Sequence, residues 1–412
     1  MRASARARSG SVAVLLGLLA VGGIVAHLHR YATAWHWFDD AARLLVGDEE
    51  GLGVPGGLRL YAERPDFQFG PLAILVALPF SLLGRIGDEV LVAVLSAAGL
   101  LTVGLLAGAA RRRHPELPSP TLAAAVACGG AAVVVLWSHV AVRTAHLDDA
   151  VALTLAALAL WCLVHDRPWA AAVALGVAAA VKPWAVAFTP VAAAAPGRAR
   201  WGRVLLALAL AGATWVPFVL AEPATLDTSR YTIENEPASA LRALGVDSEG
   251  TPSWGRPAQL LLGTLVAALL VRRGRWTGAM MAALAVRVAL DPAANHYYTA
   301  GVVVAVLAHE LLDRPGRWPW RTVAVGVLLE VSAVLEPPRA GGVLRLLVAA
   351  AVLVAAWTAP AMSPPGAAAP RAAGRRVEPA RAGYGRPSDG GRSGDGTPSP
   401  LAPHAEPEET PA

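Results

Sequence analysis

Charge interrupts the apolar runs of this chain in four places: Asp39-Asp40, His146-Leu147-Asp148-Asp149, Lys182, and Asp291-Pro292-Ala293-Ala294-Asn295-His296-Tyr297-Tyr298. Lys182 is the only lysine in the sequence; every other strong base is an arginine. A charge in or beside a membrane span costs about 3 kcal/mol on insertion scales and faces a polar cavity, a partner or a substrate. These residue types suit moving a sugar from a phosphate to a hydroxyl. A carboxylate takes the proton from the acceptor, and cations stabilise the departing phosphate. Asp39 or Asp40 would supply the base, and Lys182, with Arg143, Arg256 or Arg287, would hold the phosphate. His146, Asp148, Asp149, Gln68, His296 and Tyr297 complete the candidate substrate-binding set.

Each of these features also has a plainer reading. Asp148 or Asp149 would cap a helix beginning at Ala150, where a carboxylate satisfies free N–H groups. Asp39-Asp40 would be solvated charge on an interfacial helix. Lys182-Pro183 would mark the end of a span, its ammonium snorkelling to water. Tyr297-Tyr298 would be interfacial belt residues. His139, His146, His165 and His296 share no recognisable ligand spacing, so no metal set and no cofactor is expected; a divalent ion bridging a phosphate to Asp148 or Asp149 stays open. There is no P-loop, dinucleotide fingerprint or nucleophile elbow in suitable context. Nor are there two similar halves with matching broken helices, which weakens a transporter reading.

The elements that must position these residues are membrane helices. The 412 residues are 55% hydrophobic and only 16% charged, with a mean hydropathy of +0.48, where a soluble domain carries about a quarter charged residues. The fold class is therefore an all-α polytopic membrane protein. The net charge of +5 comes from arginine clusters between apolar runs, the positive-inside pattern, and implies no nucleic-acid partner. The runs 11–26, 90–110, 121–137, 150–164, 170–181, 184–195, 205–221, 257–271, 277–290, 299–312, 322–335 and 343–359 are the candidate spans. The first is read as an uncleaved helix rather than a signal. If 71–83 also crossed, the arginines 111–113 would fall on the wrong side, so that run enters part-way, leaving about twelve transmembrane helices, roughly 11 to 13.

Residues 1–359 form the membrane domain, with two long extracytoplasmic loops, 29–70 and 222–256. In the first, Trp37, Ala41, Leu44 and Leu45 recur at helical spacing and suggest a short amphipathic helix at the interface, followed by a Gly-rich loop at 51–57. Residues 360–412, rich in Pro, Gly, Ala, Ser and Arg, are expected to be a disordered cytoplasmic tail, with the N-terminus on the same side of the cell membrane. Cys128 and Cys162 lie in separate apolar runs and read as small buried hydrophobes.

This layout resembles the polyprenol-phosphate-sugar-dependent glycosyltransferases of the membrane GT-C class, in particular the family 87 type that includes bacterial mannosyltransferases. The likeness runs over roughly 11–203. It consists of a first helix, an outer loop with an acid (Asp39-Asp40), an aromatic-Pro segment (Phe67-Gln68-Phe69-Gly70-Pro71), a polar patch opening a later helix (His146-Leu147-Asp148-Asp149), and a Lys-Pro one hairpin on (Lys182-Pro183). The family often has Tyr-Pro-Pro where this chain has Phe69-Gly70-Pro71, and a Gly-Gln-x-Asn-like patch where it has His146-Leu147-Asp148-Asp149. The resemblance implies a GT-C-like fold, the loop acid as general base and the lysine near a lipid phosphate. It implies transfer of a hexose, mannose, from a polyprenyl-phosphate sugar donor to a lipid or glycan acceptor at the outer face of the cytoplasmic membrane, within the cell envelope. From the residues alone, two other readings stand: a lipid or glycolipid transporter or flippase with Asp148, Lys182 and Arg287 along its path, or a non-catalytic membrane protein whose tail recruits others.

Overall fold

Apolar patterning and proline positions account for most of the helix boundaries. The computed structural model describes residues 2–27, 29, 31–47, 56–363 and 365, without the side chains of 2–9 and 85. Most of the expected Gly-rich loop at 51–57 and nearly all of the expected tail at 360–412 lie outside the described residues. In chain order the helices are α1 (Arg2–His27), α2 (Trp35–Leu45), the single turn α3 (Leu60–Glu63), α4 (Pro71–Leu82), α5 (Gly87–Arg113), α6 (Ser119–Ser138), α7 (Leu147–Val164) and α8 (Pro168–Val181). They continue with α9 (Arg200–Ala221), the single turn α10 (Ala240–Ala243), α11 (Gly255–Arg272), α12 (Ala279–Leu290), α13 (His296–Asp313), α14 (Trp320–Val334) and α15 (Pro338–Thr358). Among the described residues no strand forms beyond one isolated bridge, Glu234 to Gly250.

Six helical segments are long and apolar enough to cross a membrane among the described residues: Gly10–His27, Gly87–Arg113, Ser119–Arg143, Leu147–Val164, Arg200–Ala221 and Pro338–Thr358. The chain is thus a polytopic all-helical membrane protein, as expected. The other expected spans are shorter or less apolar. α8 has 14 residues and α12 has 12, about 20 Å of helix against a hydrocarbon core of about 30 Å. The clearest departure is 184–195. Pro183–Ala193 is a 3₁₀ helix instead of an α-helical span, with Pro183 at its start and Pro190 inside, and each proline removes a donor that an α-helix needs.

Burial separates centre from rim. Of the Gly10–His27 window only 6% is buried, of Leu147–Val164 72%, so α1 shows its side chains to lipid while α7 sits inside the bundle. α12 and α13 are buried nearly throughout. α5 carries Asp88 and Glu89 in its first turn and Arg111, Arg112 and Arg113 in its last, the sense that complements the helix dipole. Cys128 and Cys162 are both free thiols, Cys162 buried and Cys128 half-buried.

The amphipathic helix in the first loop exists as α2, with Ala41 and Leu44 on its buried face as expected and Trp37 off it. Trp35, Phe38, Ala41, Ala42 and Leu44 are buried, while Trp37 is exposed. The helix packs on α4, so it belongs to the bundle. α4 begins at Pro71, the first-turn position that suits proline, after an extended Gly70. Gly70 N–H donates to the Val181 carbonyl (2.8 Å), and a Cβ at Gly70 would lie 2.0 Å from the Ala180 carbonyl oxygen. Glycine is needed there because α4 starts against the end of α8. Gly70→Ala is accordingly expected to cost about 1–3 kcal/mol through backbone displacement. Its thermal unfolding in detergent, followed by size-exclusion fluorescence, should show a clear drop; an unchanged midpoint would mean the two helices separate freely.

Candidate functional site

X-Pro steps end two of the helices that meet at the site. The residue before a proline is pushed out of the helical region, and Lys182, before Pro183, has φ −133° and ψ 110°. Asp291, before Pro292, has φ −79° and ψ 132°. Both helices therefore stop on a charged residue, at the start of α7. The chain reaches α7 through a π-helical turn, His139–Arg143, and through Ala145 at φ +51°, a left-handed conformation that costs a non-glycine residue about 1–3 kcal/mol. The widened turn leaves carbonyls unused by the helix. Those of Val142, Arg143 and Thr144 accept from the N–H groups of Ala32 (2.8 Å), Thr33 (3.1 Å) and Ala34 (2.8 Å). This pairing lays the chain leading into α2 alongside the approach to α7.

Five charges meet there, none more than 9% exposed: Asp148, Asp149, Lys182, Arg287 and Asp291. The Lys182 ammonium donates to Asp148 Oδ2 and lies 3.2 Å from Asp149 Oδ2. Arg287 Nη1 is 3.3 Å from Asp149 Oδ1, and its Nε is 3.7 Å from Asp291 Oδ2. Trp184 Nε1 donates to Asp149 Oδ1 (3.1 Å). The Arg287 guanidinium sits 4.4 Å from the Trp184 ring centroid and 4.5 Å from that of Tyr298, a desolvated cation between two aromatic faces. Neither aspartate is the N-cap of α7, which starts at Leu147 after His146. Asp148 Oδ1 instead accepts the first-turn N–H of Asp149 (2.8 Å).

Three carboxylates thus face two cations, and the Lys182 ammonium already has two carboxylate neighbours. Little positive potential remains there for a phosphate, and nothing about Lys182 resembles a snorkelling side chain. The His146 imidazole stands beside the cluster, with Nδ1 3.4 Å from Asp148 Oδ1 and its ring 3.8 Å from that of Tyr297.

The first loop joins through aromatic contacts. Phe38 of α2 stacks on Phe69 (4.5 Å) and meets the His146 ring edge-on (6.3 Å). The next two residues of the same helix are Asp39 and Asp40, both half-buried. Asp39 Oδ1 accepts from the Ser81 hydroxyl of α4 (2.6 Å). Asp40 accepts no hydrogen bond among the described residues; burial pushes its carboxyl above the ordinary carboxylate value, against the pull of Arg64. Arg64 itself is held by Asp66 (2.8 Å) and lies over Phe67.

Residues 67–233 match the model of glycosyltransferase family 87. Over this stretch the chain is similar to the membrane glycosyltransferases of family 87. No curated protein and no solved structure matches the chain. The family 87 segment contains Phe69, His146, Asp148, Asp149, Lys182 and Trp184, whereas Asp39 and Asp40 precede it and Arg287, Asp291, Tyr297 and Tyr298 follow it. The site is thus completed by residues outside the matched stretch.

The other expected site residues fall nearby or elsewhere. Gln68 and Arg256 join the two long loops: Arg256 Nη1 donates to Gln68 Oε1, and Gln68 Nε2 donates to the carbonyls of Pro65 (2.5 Å) and Thr228 (3.1 Å). Arg256 forms no ion pair among the described residues. Arg143 lies at the end of the π-helical turn, where its charge acts on His27 and His139, away from Lys182. His296 pairs with Glu330, with Nδ1 2.6 Å from Oε2. Sequence reasoning gives Trp184 no site role and leaves Asp291 and Tyr298 in one of the polar patches without an assigned one, although Asp291 is four residues from Arg287, the spacing of a helical ion pair. It also passed over Arg345, wholly buried in α15, where Nη1 reaches the Ala294 carbonyl (3.3 Å) and Ser332 Oγ (3.4 Å).

Proposed function

We propose that this protein transfers a hexose, mannose, from a polyprenyl-phosphate donor to a lipid or glycan acceptor at the outer face of the cell membrane. The bundle would cross the membrane about twelve times in this reading, its shorter helices held inside by the longer ones, with both termini cytoplasmic. The observation that carries it is the seating of Phe38 against Phe69 and His146, which brings the acid-bearing loop helix onto the family 87 segment. A carboxylate next to a phosphate-binding cation is what glycosyl transfer to a hydroxyl requires.

The residues divide the work as follows. Asp40, which accepts no hydrogen bond among the described residues, takes the proton from the acceptor hydroxyl. Asp39, tied to Ser81, positions α2 against α4. Arg256, whose partners are Gln68 and a backbone carbonyl, has charge left for the donor phosphate. The Lys182 cluster sets the shape of the site floor.

Purified protein in liposomes, given a radiolabelled polyprenyl-phosphate mannose and membrane lipid acceptors, is expected to form a labelled product that Arg256→Ala reduces through weaker donor binding. Movement of the labelled lipid between leaflets without any product would replace transfer by transport. Product formed equally well with Arg256→Ala would remove the phosphate role from that residue.

A further inference from the structure

A second polar group adjoins Tyr297, whose ring packs on His146, and nothing in the transfer chemistry uses it. His139 comes from the π-helical turn, His296 from the first turn of α13, and Glu330 from the middle of α14. Glu330 Oε2 is 2.6 Å from His296 Nδ1 and 3.7 Å from His139 Nε2. The two imidazoles lie nearly parallel with centroids 5.0 Å apart, and the His27 ring is 5.1 Å from that of His139. One ligand atom from each of His139, His296 and Glu330 falls within 4.8 Å of the other two.

Two polar atoms in this group are left over. His139 Nδ1 and Glu330 Oε1 are buried without a hydrogen-bond partner. A carboxylate in an apolar helix is costly and normally finds a cation or a full set of donors; the Glu330 carboxylate has Oε2 against the two imidazoles and, besides them, only the Thr299 hydroxyl among the described residues. The three side chains are each about one-fifth exposed, with 17%, 26% and 24% of their side-chain area reachable from outside, so an ion has a way in.

We propose that His139, His296 and Glu330 bind a divalent transition-metal ion of the zinc type. Two imidazole nitrogens and one carboxylate oxygen are a recognised zinc set, with ligand bonds of about 2.0–2.2 Å that place tetrahedral ligand atoms about 3.3 Å apart. The spacings of 2.6 and 3.7 Å straddle that value, and small side-chain rotations equalise them. Nitrogen ligands favour zinc and its neighbours over magnesium or calcium, which take oxygen. Water would complete the coordination. The ion would tie the π-helical turn, α13 and α14 together. Tyr297, next to His296, packs on His146, so the tie would fix the wall of the charge cluster. This inference does not depend on which sugar or lipid the protein uses.

The test is made on the full chain, purified without a histidine tag, loaded with zinc and dialysed. Elemental analysis should find about one zinc per chain, and zinc-edge X-ray absorption should show two imidazole rings. His296→Ala and Glu330→Gln should each weaken zinc binding by at least about tenfold. A single imidazole would assign the ion to His146, Asp148 and Asp149, the other such group among the described residues, and would overturn the proposal. So would a wild-type protein that retains no zinc, or zinc retained equally by both variants. If the variants fail to fold, the imidazole count on the wild-type protein decides.

Discussion

Replacing Lys182 with methionine is expected to destabilise the purified protein by about 3–5 kcal/mol, because it leaves Asp148 and Asp149 buried without their shared cation. Both carboxylates are almost fully enclosed, and Asp148 has no other strong base within ion-pairing distance among the described residues. Methionine keeps most of the volume, so loss of packing contributes little. Asp148→Asn should be destabilising by a similar route, since it leaves the ammonium with only Asp149. The double variant Lys182→Met, Asp148→Asn removes one charge of each sign and should recover part of the loss, with a coupling of about 0.5–3 kcal/mol. Unfolding midpoints in one detergent give all four corners of this cycle. A Lys182→Met protein as stable as wild type would mean that the ammonium reaches water, the anchor role its place between two apolar runs also suggests. A lysine that merely bound the donor would show a loss of affinity and no change in midpoint.

The sequence announces this cluster but not its pairing. A lone lysine before a proline, two adjacent aspartates, and an arginine four residues before an aspartate are each visible in the chain. That they neutralise one another depends on α7, α8 and α12 meeting at their ends, which no local pattern states. Helix limits follow hydrophobic periodicity and X-Pro steps closely: the run 150–164 lies inside α7, and 170–181 inside α8. The run 184–195 was misassigned because a stretch of about twelve apolar residues fits an α-helix and a 3₁₀ helix equally; Pro183 and Pro190 were the signal. In α2 the expected face holds at Ala41 and Leu44 and fails only at Trp37, an amphipathic side chain that faces outward while Trp35 and Phe38 turn in. Glu330 and Arg345 carried the same mark as Lys182, a single charge within an apolar run. Glu330 finds its partners in the π-helical turn and the first turn of α13, and Arg345 in the Ala294 carbonyl and Ser332, none of which a local pattern states.

Asp40→Asn is expected to lower the transfer rate by about 10²–10⁴-fold while donor binding stays measurable, the effect of deleting a general base. Asparagine matches aspartate in shape, and Asp40 makes no hydrogen bond among the described residues that the swap would break, so folding should be preserved. Asp39→Asn is expected to act differently. Its amide can still accept from Ser81, and the variant should keep most of its rate; Ser81→Ala should reproduce whatever it loses. The pH dependence separates the two acids further. Burial raises the Asp40 carboxyl above its ordinary value near 3.9, so the unprotonated base is lost at a higher pH than a solvent-exposed aspartate would be. The rate should therefore climb with pH along a limb whose midpoint lies above that of a free carboxylate. Arg64 lowers the same group; Arg64→Ala removes that pull, and the midpoint should move upward. A limb that stays in place in Arg64→Ala would take the base role away from Asp40, since a carboxylate next to that guanidinium must respond to its removal. Wild-type rates in Asp40→Asn would do so directly, and a loss confined to Asp39→Asn would pass the role to the residue bonded to Ser81.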